Sequence, residues 1–390
     1  MNILFLSKDY PPNMLGGVGT YIYEVSRLLA RMGHRTFVIT KADDAPIDYQ
    51  DSGVSVYRVK PRKFNFCDGF RHKIGGFLER LEYSLAVSRK IKEIHRRFRI
   101  DLIESSEARA EGFWYYLLNR RPPLVIKLHT PETVAFKLDH TPVTFDYRLI
   151  KLLEEYWIKK ASQQVGLSKE VVDLTNDHFS IHLANIPLVP NPIDLSLFSP
   201  SQTGNNAGIQ EILYVGRLEF RKGVHVLIRA MAYIEEHAPG ARLTFVGSDC
   251  GMRGYLEQKR LQLKFPENIS FVEQLPRRQL VEYYQRSTVC VIPSIWENYP
   301  YVCLEAMACG KPVVASNIGG LKDMIADRES GILVSAGSSL ELGQAIVSLL
   351  KDEHLSKSIA IKARRTIEER YSPEKIARQT LEVYEGLIQN

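Results

Sequence analysis

The sequence contains few cysteines and no long apolar run. Its 390 residues include five cysteines, none of them in a CxxC pair. This excludes a disulfide scaffold, makes a zinc site a poor fit and favours free thiols in a reducing compartment. No stretch approaches the roughly 18 apolar residues that span a bilayer. The short apolar start, residues 1–6, meets Lys8 and Asp9 at once and is typical of a buried strand rather than a signal peptide. We therefore expect a cytoplasmic chain.

Compositional bias and strong net charge are also missing. The chain is 45% hydrophobic and 25% charged, with 51 basic and 45 acidic residues, a net charge of +6. These values exclude a disordered or collagen-like chain, and at about 100–200 residues per domain the length predicts two domains. The charge is uneven, because residues 58–99 hold 13 Lys or Arg against 4 Asp or Glu. We call residues 58–99 the basic segment.

Short strand-like runs alternate with amphipathic helical stretches along most of the chain. The runs are Ile3–Leu6, Thr36–Ile39, Leu102–Glu104, Leu124–Leu128, Gln164–Leu167, Glu211–Val215, Arg242–Val246, Ile269–Phe271, Val289–Ile292 and Pro312–Ala315. This alternation predicts an α/β fold with two Rossmann-like, doubly wound parallel sheets. A polar, turn-rich stretch at 199–208 predicts domains at 1–200 and 201–371. Such sheets bind ligands beyond the carboxyl ends of their strands, so a shared cleft is the expected site.

Two features of the first half follow predicted strands. The first strand leads into Gly16 and Gly17 before a helix, where backbone amides can approach an anion. The spacing is not GxGxxG, so a nicotinamide cofactor is a poor fit, and a tight turn explains the glycines equally well. His129 follows the run Leu124–Leu128 and would face the same cleft. A lone histidine is commonly structural, which remains the alternative here.

The most informative stretch surrounds a predicted helix start at Pro300. Proline is favoured in the first helical turn, so the amides of Tyr301 and Val302 would be available to phosphate oxygens. Glu297 and Glu305 lie on either side of this anion site. Like charges repel, so both carboxylates are expected to accept hydrogen bonds from sugar or ribose hydroxyls. Favourable placement near a helix N-terminus is the alternative for Glu305.

Two cations follow the run Glu211–Val215. Arg217 comes directly after the strand, and Lys222 lies five residues further on, before the next helix. Cations at a strand end suit a diphosphate, although a solvated pair is the alternative. No two aspartates are separated by a single residue anywhere in the sequence. A carboxylate-held magnesium ion is therefore not expected, and cations and helix amides would neutralise the diphosphate.

Together these segments resemble family 4 of the glycosyltransferases, whose members are retaining, depend on nucleotide sugars and have the GT-B fold. The resemblance spans essentially the whole chain. Its most specific element is the E-x7-E pair of Glu297 and Glu305, in which the second glutamate begins Glu-Ala-Met-Ala. Residues 371–377 also resemble the start of the family's terminal helix, which returns to the first domain. Residues from about 372 to 390 are therefore expected to join domain 1–200.

The resemblance implies a role for each of these residues. Arg217 and Lys222 would hold the donor diphosphate, and Glu305 would bind the ribose. Glu297 would face the transferred sugar, and His129 would approach it from the other domain. The backbone of the glycine loop, the first helical amides and the strand end under the base would complete the donor site: Gly16, Gly17, Val272, Tyr301 and Val302.

The implied reaction moves a sugar from a UDP- or GDP-linked donor to an acceptor hydroxyl with retention, without a metal or further cofactor. The acceptor is expected to be a sugar or a lipid-linked sugar, in glycan or glycolipid synthesis. The basic segment predicts peripheral contact with an anionic inner-membrane surface, and a solvated helix is its alternative. Nucleic acid is a poor fit. A non-catalytic sugar-nucleotide or glycan binder, and an isomerase or phosphorylase of the same fold, remain open.

Overall fold

A computed structural model describes residues 1–11, 16–43, 47–138, 141–201 and 210–389. Its strands are β1 (Asn2–Leu6), β2 (Arg35–Lys41), β3 (Tyr49–Asp51), β4 (Val54–Val59), β5 (Leu102–Ser106), β6 (Leu124–Leu128), β7 (Gln163–Gly166), β8 (Glu211–Val215), β9 (Arg242–Val246), β10 (Ile269–Val272), β11 (Val289–Ile292), β12 (Val313–Ser316) and β13 (Ile332–Val334). Its helices are α1 (Gly17–Arg31), α2 (Arg71–Phe98), α3 (Phe113–Leu118), α4 (Glu132–Leu138), α5 (Phe145–Lys160), α6 (Lys169–Phe179), α7 (Val224–His237), α8 (Arg253–Arg260), α9 (Arg277–Arg286), α10 (Tyr301–Ala308), α11 (Leu321–Met324), α12 (Ser339–Lys351), α13 (Glu353–Arg370) and α14 (Pro373–Ile388).

The chain forms two compact units, each built on its own sheet. Unit 1 contains residues 1–192 and 374–390, and unit 2 contains residues 193–373. The sheet of unit 1 has the order β3-β4-β2-β1-β5-β6-β7, and that of unit 2 has the order β10-β9-β8-β11-β12-β13. All pairings are parallel except that of the edge strand β3 with β4. The predicted α/β class with two Rossmann-like parallel sheets is confirmed.

The boundary between the units differs from the predicted one. The sequence placed it at 200/201, whereas the units divide between Pro192 and Ile193. Residues after Pro192 pack into unit 2: Phe198 is fully buried, and its carbonyl accepts a hydrogen bond from Arg364 at 3.0 Å. The turn-rich composition that suggested the boundary falls largely on residues 202–209, which lie outside the described residues.

Helix α14 joins unit 1 through a buried polar contact. The Tyr384 hydroxyl donates to Glu104 on β5, with an O–O distance of 2.5 Å. Lys127 on the neighbouring strand β6 is also buried, and its Nζ donates to the Val189 carbonyl. Burial raises the pKa of Glu104, while burial lowers the pKa of Lys127 to about 8. The last helix therefore supplies a hydrogen-bond donor to a carboxyl group in the middle of the first sheet.

Candidate functional site

The loops after β8 and β11 lie where the strand order of unit 2 reverses. These two strands are neighbours, and the chain continues from them to opposite edges of the sheet, to β9 and β10 on one side and to β12 and β13 on the other. Because every strand of this sheet is parallel, all the following loops lie at one edge. Such a reversal leaves a crevice at the carboxyl ends of the strands, which is where open parallel sheets bind ligands.

An ion pair bridges this crevice. The Lys222 Nζ, from the loop after β8, contacts the Glu297 carboxylate, from the loop after β11. The Ser294 hydroxyl donates to the same carboxylate at 3.2 Å. The side chains of Lys222 and Glu297 are 19% and 7% exposed, so the pair is largely shielded from water. A cation and a carboxylate are thus held together at the point where the fold places a ligand.

Backbone packing fixes both loops. Gly223 has φ of +69°, and a Cβ there would lie 1.8 Å from the Pro293 carbonyl oxygen, so only glycine fits. The Ile295 amide donates to the Arg221 carbonyl at 2.8 Å, which ties the two loops together. On the other side of the site, the Gly320 amide donates to the Asn298 carbonyl at 2.7 Å. The position of Glu297 is therefore set by contacts on both sides of its loop.

Arg217 lies at the exposed side of the loop after β8. Its guanidinium lies 3.2 Å from the Glu219 carboxylate, and its side chain is 48% exposed. Arg221 contacts the other oxygen of Glu219 at 2.8 Å and packs its guanidinium over the Trp296 ring, 5.7 Å from the centroid. The loop after β8 thus presents an accessible guanidinium beside the shielded Lys222. Two cations on one loop suit the charge of a diphosphate.

Glu305 is the fifth of the eight residues of α10 and is almost fully buried. Its Oε1 accepts from Arg277 Nε at 3.0 Å, and its Oε2 accepts from the Tyr284 hydroxyl at 2.9 Å. Burial, and then the Glu305 charge, raise the pKa of Tyr284 well above its usual range, so the phenol remains a donor. A carboxylate has about four acceptor positions, so further hydroxyl donors can still be accommodated.

The remaining predicted donor residues of unit 2 lie at the same edge of the sheet. Helix α10 begins at Tyr301, with Pro300 at its N-cap, so the first two helical amides belong to Tyr301 and Val302. This is one residue after the predicted start. Val272 is the last residue of β10, and its carbonyl accepts from the Gly247 amide at 3.0 Å. Each of these positions follows or ends a parallel strand, as the nucleotide-binding prediction requires.

His129 belongs to unit 1, where it follows β6. Its amide donates to both oxygens of the Glu107 carboxyl at 3.0 Å, and its ring packs edge-on against Tyr21, with 5.3 Å between centroids. Burial, with a smaller contribution from the Lys127 cation, lowers the pKa of His129 to about 3. Burial also raises the pKa of Glu107 to about 8. The imidazole is therefore neutral at physiological pH.

The glycine loop is only partly within the described residues. Gly16 is the extended N-cap of α1, and Gly17 is its first residue, while residues 12–15 lie outside the described ranges. Among the described residues, a Cβ at Gly16 or Gly17 would meet no atom within 4 Å. The packing of that part of unit 1 therefore does not require either glycine.

The structure brings the predicted unit 2 residues to one edge of a sheet and adds partners that the sequence did not reveal. Lys222 and Glu297 form a direct pair. The contacts that hold Glu305, from Arg277 and Tyr284, were missed. The sequence does contain one sign that Arg277 has a partner. It is a cation at the first position of α9, where the helix dipole disfavours positive charge.

Two kinds of feature are absent from the described residues. No group of three or more His, Cys, Asp or Glu side chains is arranged to hold a metal ion within those ranges. In the same part of the chain, no helix is both long and apolar enough to cross a membrane.

Comparisons with known proteins assign the family. A family model described as Glycosyltransferase Family 4 matches residues 15–197, and one described as Glycosyl transferases group 1 matches residues 198–366. The chain belongs to glycosyltransferase family 4. The two matches meet between residues 197 and 198, close to the boundary between the two units.

Similar proteins cover nearly the whole of this glycosyltransferase. An uncharacterized glycosyltransferase of Methanocaldococcus jannaschii is 29% identical and covers 98% of both chains. A glycogen synthase of Mycobacterium tuberculosis is 26% identical over 98% of this chain and 94% of its own. The solved structure of Anabaena HepE in complex with UDP-glucose is 21% identical and covers 99% of this chain and all of its own, with a TM-score of 0.75. This likeness shows the shared GT-B fold.

Proposed function

We propose that this glycosyltransferase transfers a sugar from a UDP-linked donor to an acceptor hydroxyl with retention at the anomeric carbon, in glycan or glycolipid synthesis. The observation that carries the proposal is the Lys222–Glu297 pair at the strand reversal of unit 2. It combines a cation for a diphosphate with a carboxylate for sugar hydroxyls. The complex of Anabaena HepE with UDP-glucose supports UDP over GDP as the donor nucleotide.

The donor diphosphate is bound by cations and amides. Lys222 leaves Glu297 to contact the diphosphate, and Arg217 joins it from the exposed end of the same loop. The α10 N-terminus adds the amides of Tyr301 and Val302. These groups stabilise the negative charge that grows on the leaving diphosphate as the sugar–oxygen bond breaks. No metal ion is part of this proposal.

The two glutamates bind hydroxyl groups on either side of the diphosphate. Once Lys222 turns away, the Glu297 carboxylate retains Ser294 as a donor and accepts hydrogen bonds from the transferred sugar. Glu305, oriented by Arg277 and Tyr284, accepts from the ribose hydroxyls. The base lies against the loop that follows Val272 at the end of β10.

The reaction takes place on one face of the sugar. The bond from the anomeric carbon to the diphosphate oxygen breaks, and a bond to the acceptor oxygen forms on the same face. The acceptor proton passes to the leaving diphosphate, so no protein carboxylate forms a covalent intermediate. His129 is the unit 1 residue proposed to contact the sugar, and its neutral ring at the end of β6 can exchange a hydrogen bond with a hydroxyl group.

We also propose that the basic segment makes peripheral contact with an anionic membrane surface. Phe70, the residue before α2, is 64% exposed, and the exposed Lys73 lies in the first turn of the helix. An exposed aromatic ring beside cations suits the headgroup region of a bilayer.

Turnover assays with UDP-glucose test the proposed reaction. Lys222→Ala and Glu305→Ala are each expected to reduce kcat/KM at least tenfold, which corresponds to about 1.4 kcal/mol of barrier. Lys351→Ala and Glu236→Ala remove the same charges from exposed helix positions of unit 2 and serve as matched controls. Circular dichroism confirms that each variant is folded.

Three outcomes would contradict the proposal. Near-wild-type turnover in both site variants would overturn the residue assignments. UDP-glucose binding without transfer to any of a panel of sugar and lipid-linked acceptors would indicate a non-catalytic binder. Conversion of the donor without an acceptor, or only with inorganic phosphate, would indicate an isomerase or a phosphorylase.

A further inference from the structure

A second cavity lies entirely within unit 1. It has a volume of about 620 Å³ and lies between the chain that follows β4 and the middle of α2. Strand β4 is parallel to β2, and β2 is parallel to β1, so the cavity lies at the carboxyl edge of the sheet. At about 4.8 Å per strand, the ends of β1 and β4 are about 10 Å apart. The volume is typical of a site for a small ligand.

The acidic groups of this cavity each contact a cation. Glu82 accepts from Arg71 at 2.5 Å and from the Phe64 amide at 2.6 Å, which also fixes the chain after β4 against α2. Glu93 lies 2.9 Å and Asp48 lies 3.8 Å from the Nζ of Lys90. Each of the three carboxylates thus has a cation beside it, and the lining as a whole holds six Lys or Arg against three Asp or Glu.

Four cations of the same lining have no such partner. The side chains of Lys60, Arg62, Lys63 and Arg89 are exposed, and within the described residues none forms an ion pair or a hydrogen bond. Three come from the five residues after β4, and one comes from the facing surface of α2. A bound anion would relieve the repulsion among these like charges, which water only partly screens. Two guanidinium groups and two ammonium groups match the charge and the oxygen acceptors of a phosphate.

We propose that this cavity binds a phosphate group carried by the acceptor. The inference rests on the proposed function, since it names the class of acceptor that unit 1 holds while unit 2 holds the donor. Arg62, Lys63 and Arg89 surround the phosphate, and the apolar wall of Val59 and Leu85 packs against the carbon skeleton that bears it. The phosphate belongs either to a soluble phosphorylated sugar or to a lipid-linked one.

Hydrogen exchange on the full chain, with inorganic pyrophosphate as the probe, tests the cavity locally. Bound pyrophosphate is expected to slow amide exchange in residues 58–64 and 82–93. The triple variant Arg62→Ala/Lys63→Ala/Arg89→Ala should need at least tenfold more pyrophosphate for half-maximal protection. The matched variant Lys92→Ala/Arg96→Ala/Arg97→Ala removes three exposed cations of the same basic segment that do not line the cavity, and it should behave as wild type.

Competition with vesicles then separates the two sources of phosphate. If phosphatidylcholine vesicles containing phosphatidic acid displace pyrophosphate from the cavity, the phosphate is lipid-linked, and if they do not, it is soluble. The proposal would be overturned if pyrophosphate did not slow exchange in residues 58–64. It would also be overturned if both triple variants lost this protection equally. UDP binding to the same variants is measured in parallel. Because it depends on unit 2, it stays intact if only the cavity proposal fails.

Discussion

The Lys222–Glu297 pair is expected to stabilise unit 2 as well as to form part of the site. A double-mutant cycle with Lys222→Met and Glu297→Gln measures this contribution, because each change removes one charge and keeps most of the side-chain volume. At an effective dielectric constant of about 20, two charges about 3–4 Å apart attract by roughly 4–5 kcal/mol, which desolvation partly offsets. With side chains 19% and 7% exposed, we expect a net coupling of about 1–3 kcal/mol.

Each single variant leaves one unpaired charge in a mostly buried setting. The free energy of unfolding that it loses should therefore exceed half of the loss in the double variant. Urea unfolding followed by fluorescence and circular dichroism gives the three differences. The Lys357–Glu353 pair on α13 provides a matched cycle, since its atoms are 2.6 Å apart but its side chains are 70% and 78% exposed. Its coupling should be indistinguishable from zero, because water screens the charges. Additivity within 0.5 kcal/mol at Lys222 and Glu297 would refute the reasoning.

Two further predictions concern ligand affinity and pH. Glu297→Gln removes the carboxylate that competes for Lys222, so calorimetry should show UDP binding several-fold more tightly while kcat falls; weaker UDP binding would contradict this. Burial raises the pKa of Glu107 from 4.5 to about 8, so the folded chain holds a proton that the unfolded chain releases. The free energy of unfolding should therefore decrease as pH rises from about 4.5 to about 8, by up to about 1.4 kcal/mol per pH unit for this group. Glu107→Gln should flatten the pH dependence of the urea midpoint, and an unchanged slope would count against the assignment.

Much of the fold could be predicted because buried parallel strands are apolar along their whole length. Strands β6, β8, β9 and β11 have the bounds that their apolar runs predict. The missed strand β4 reads Val-Ser-Val-Tyr-Arg-Val, in which polar residues interrupt the apolar ones, and its antiparallel neighbour β3 has only three residues. Strand β3 is the edge of the sheet and β4 lies next to it; both are partly exposed, so their sequences carry a weaker signal.

The unit boundary and the partners in the site depend on contacts that the sequence does not encode locally. Phe198 is buried against Tyr284, with 6.1 Å between ring centroids, although the two residues are 86 positions apart in the sequence. Arg277 lies 28 positions before Glu305, so the link between them is also hidden in the local sequence. The E-x7-E spacing identified both glutamates, because a motif preserves residue types at fixed positions. It does not reveal which distant side chains orient them.

The contact between Tyr384 and Glu104 has a consequence for biosynthesis. A ribosome releases residues 1–192 long before residue 384, so the first sheet emerges with the buried Glu104 carboxyl still lacking its phenol donor. Unit 2, which is continuous in sequence from 193 to 373, can complete its contacts earlier. The N-terminal unit is thus the last to be finished, and a nascent chain stalled before α14 would carry a complete second unit beside an incomplete first one.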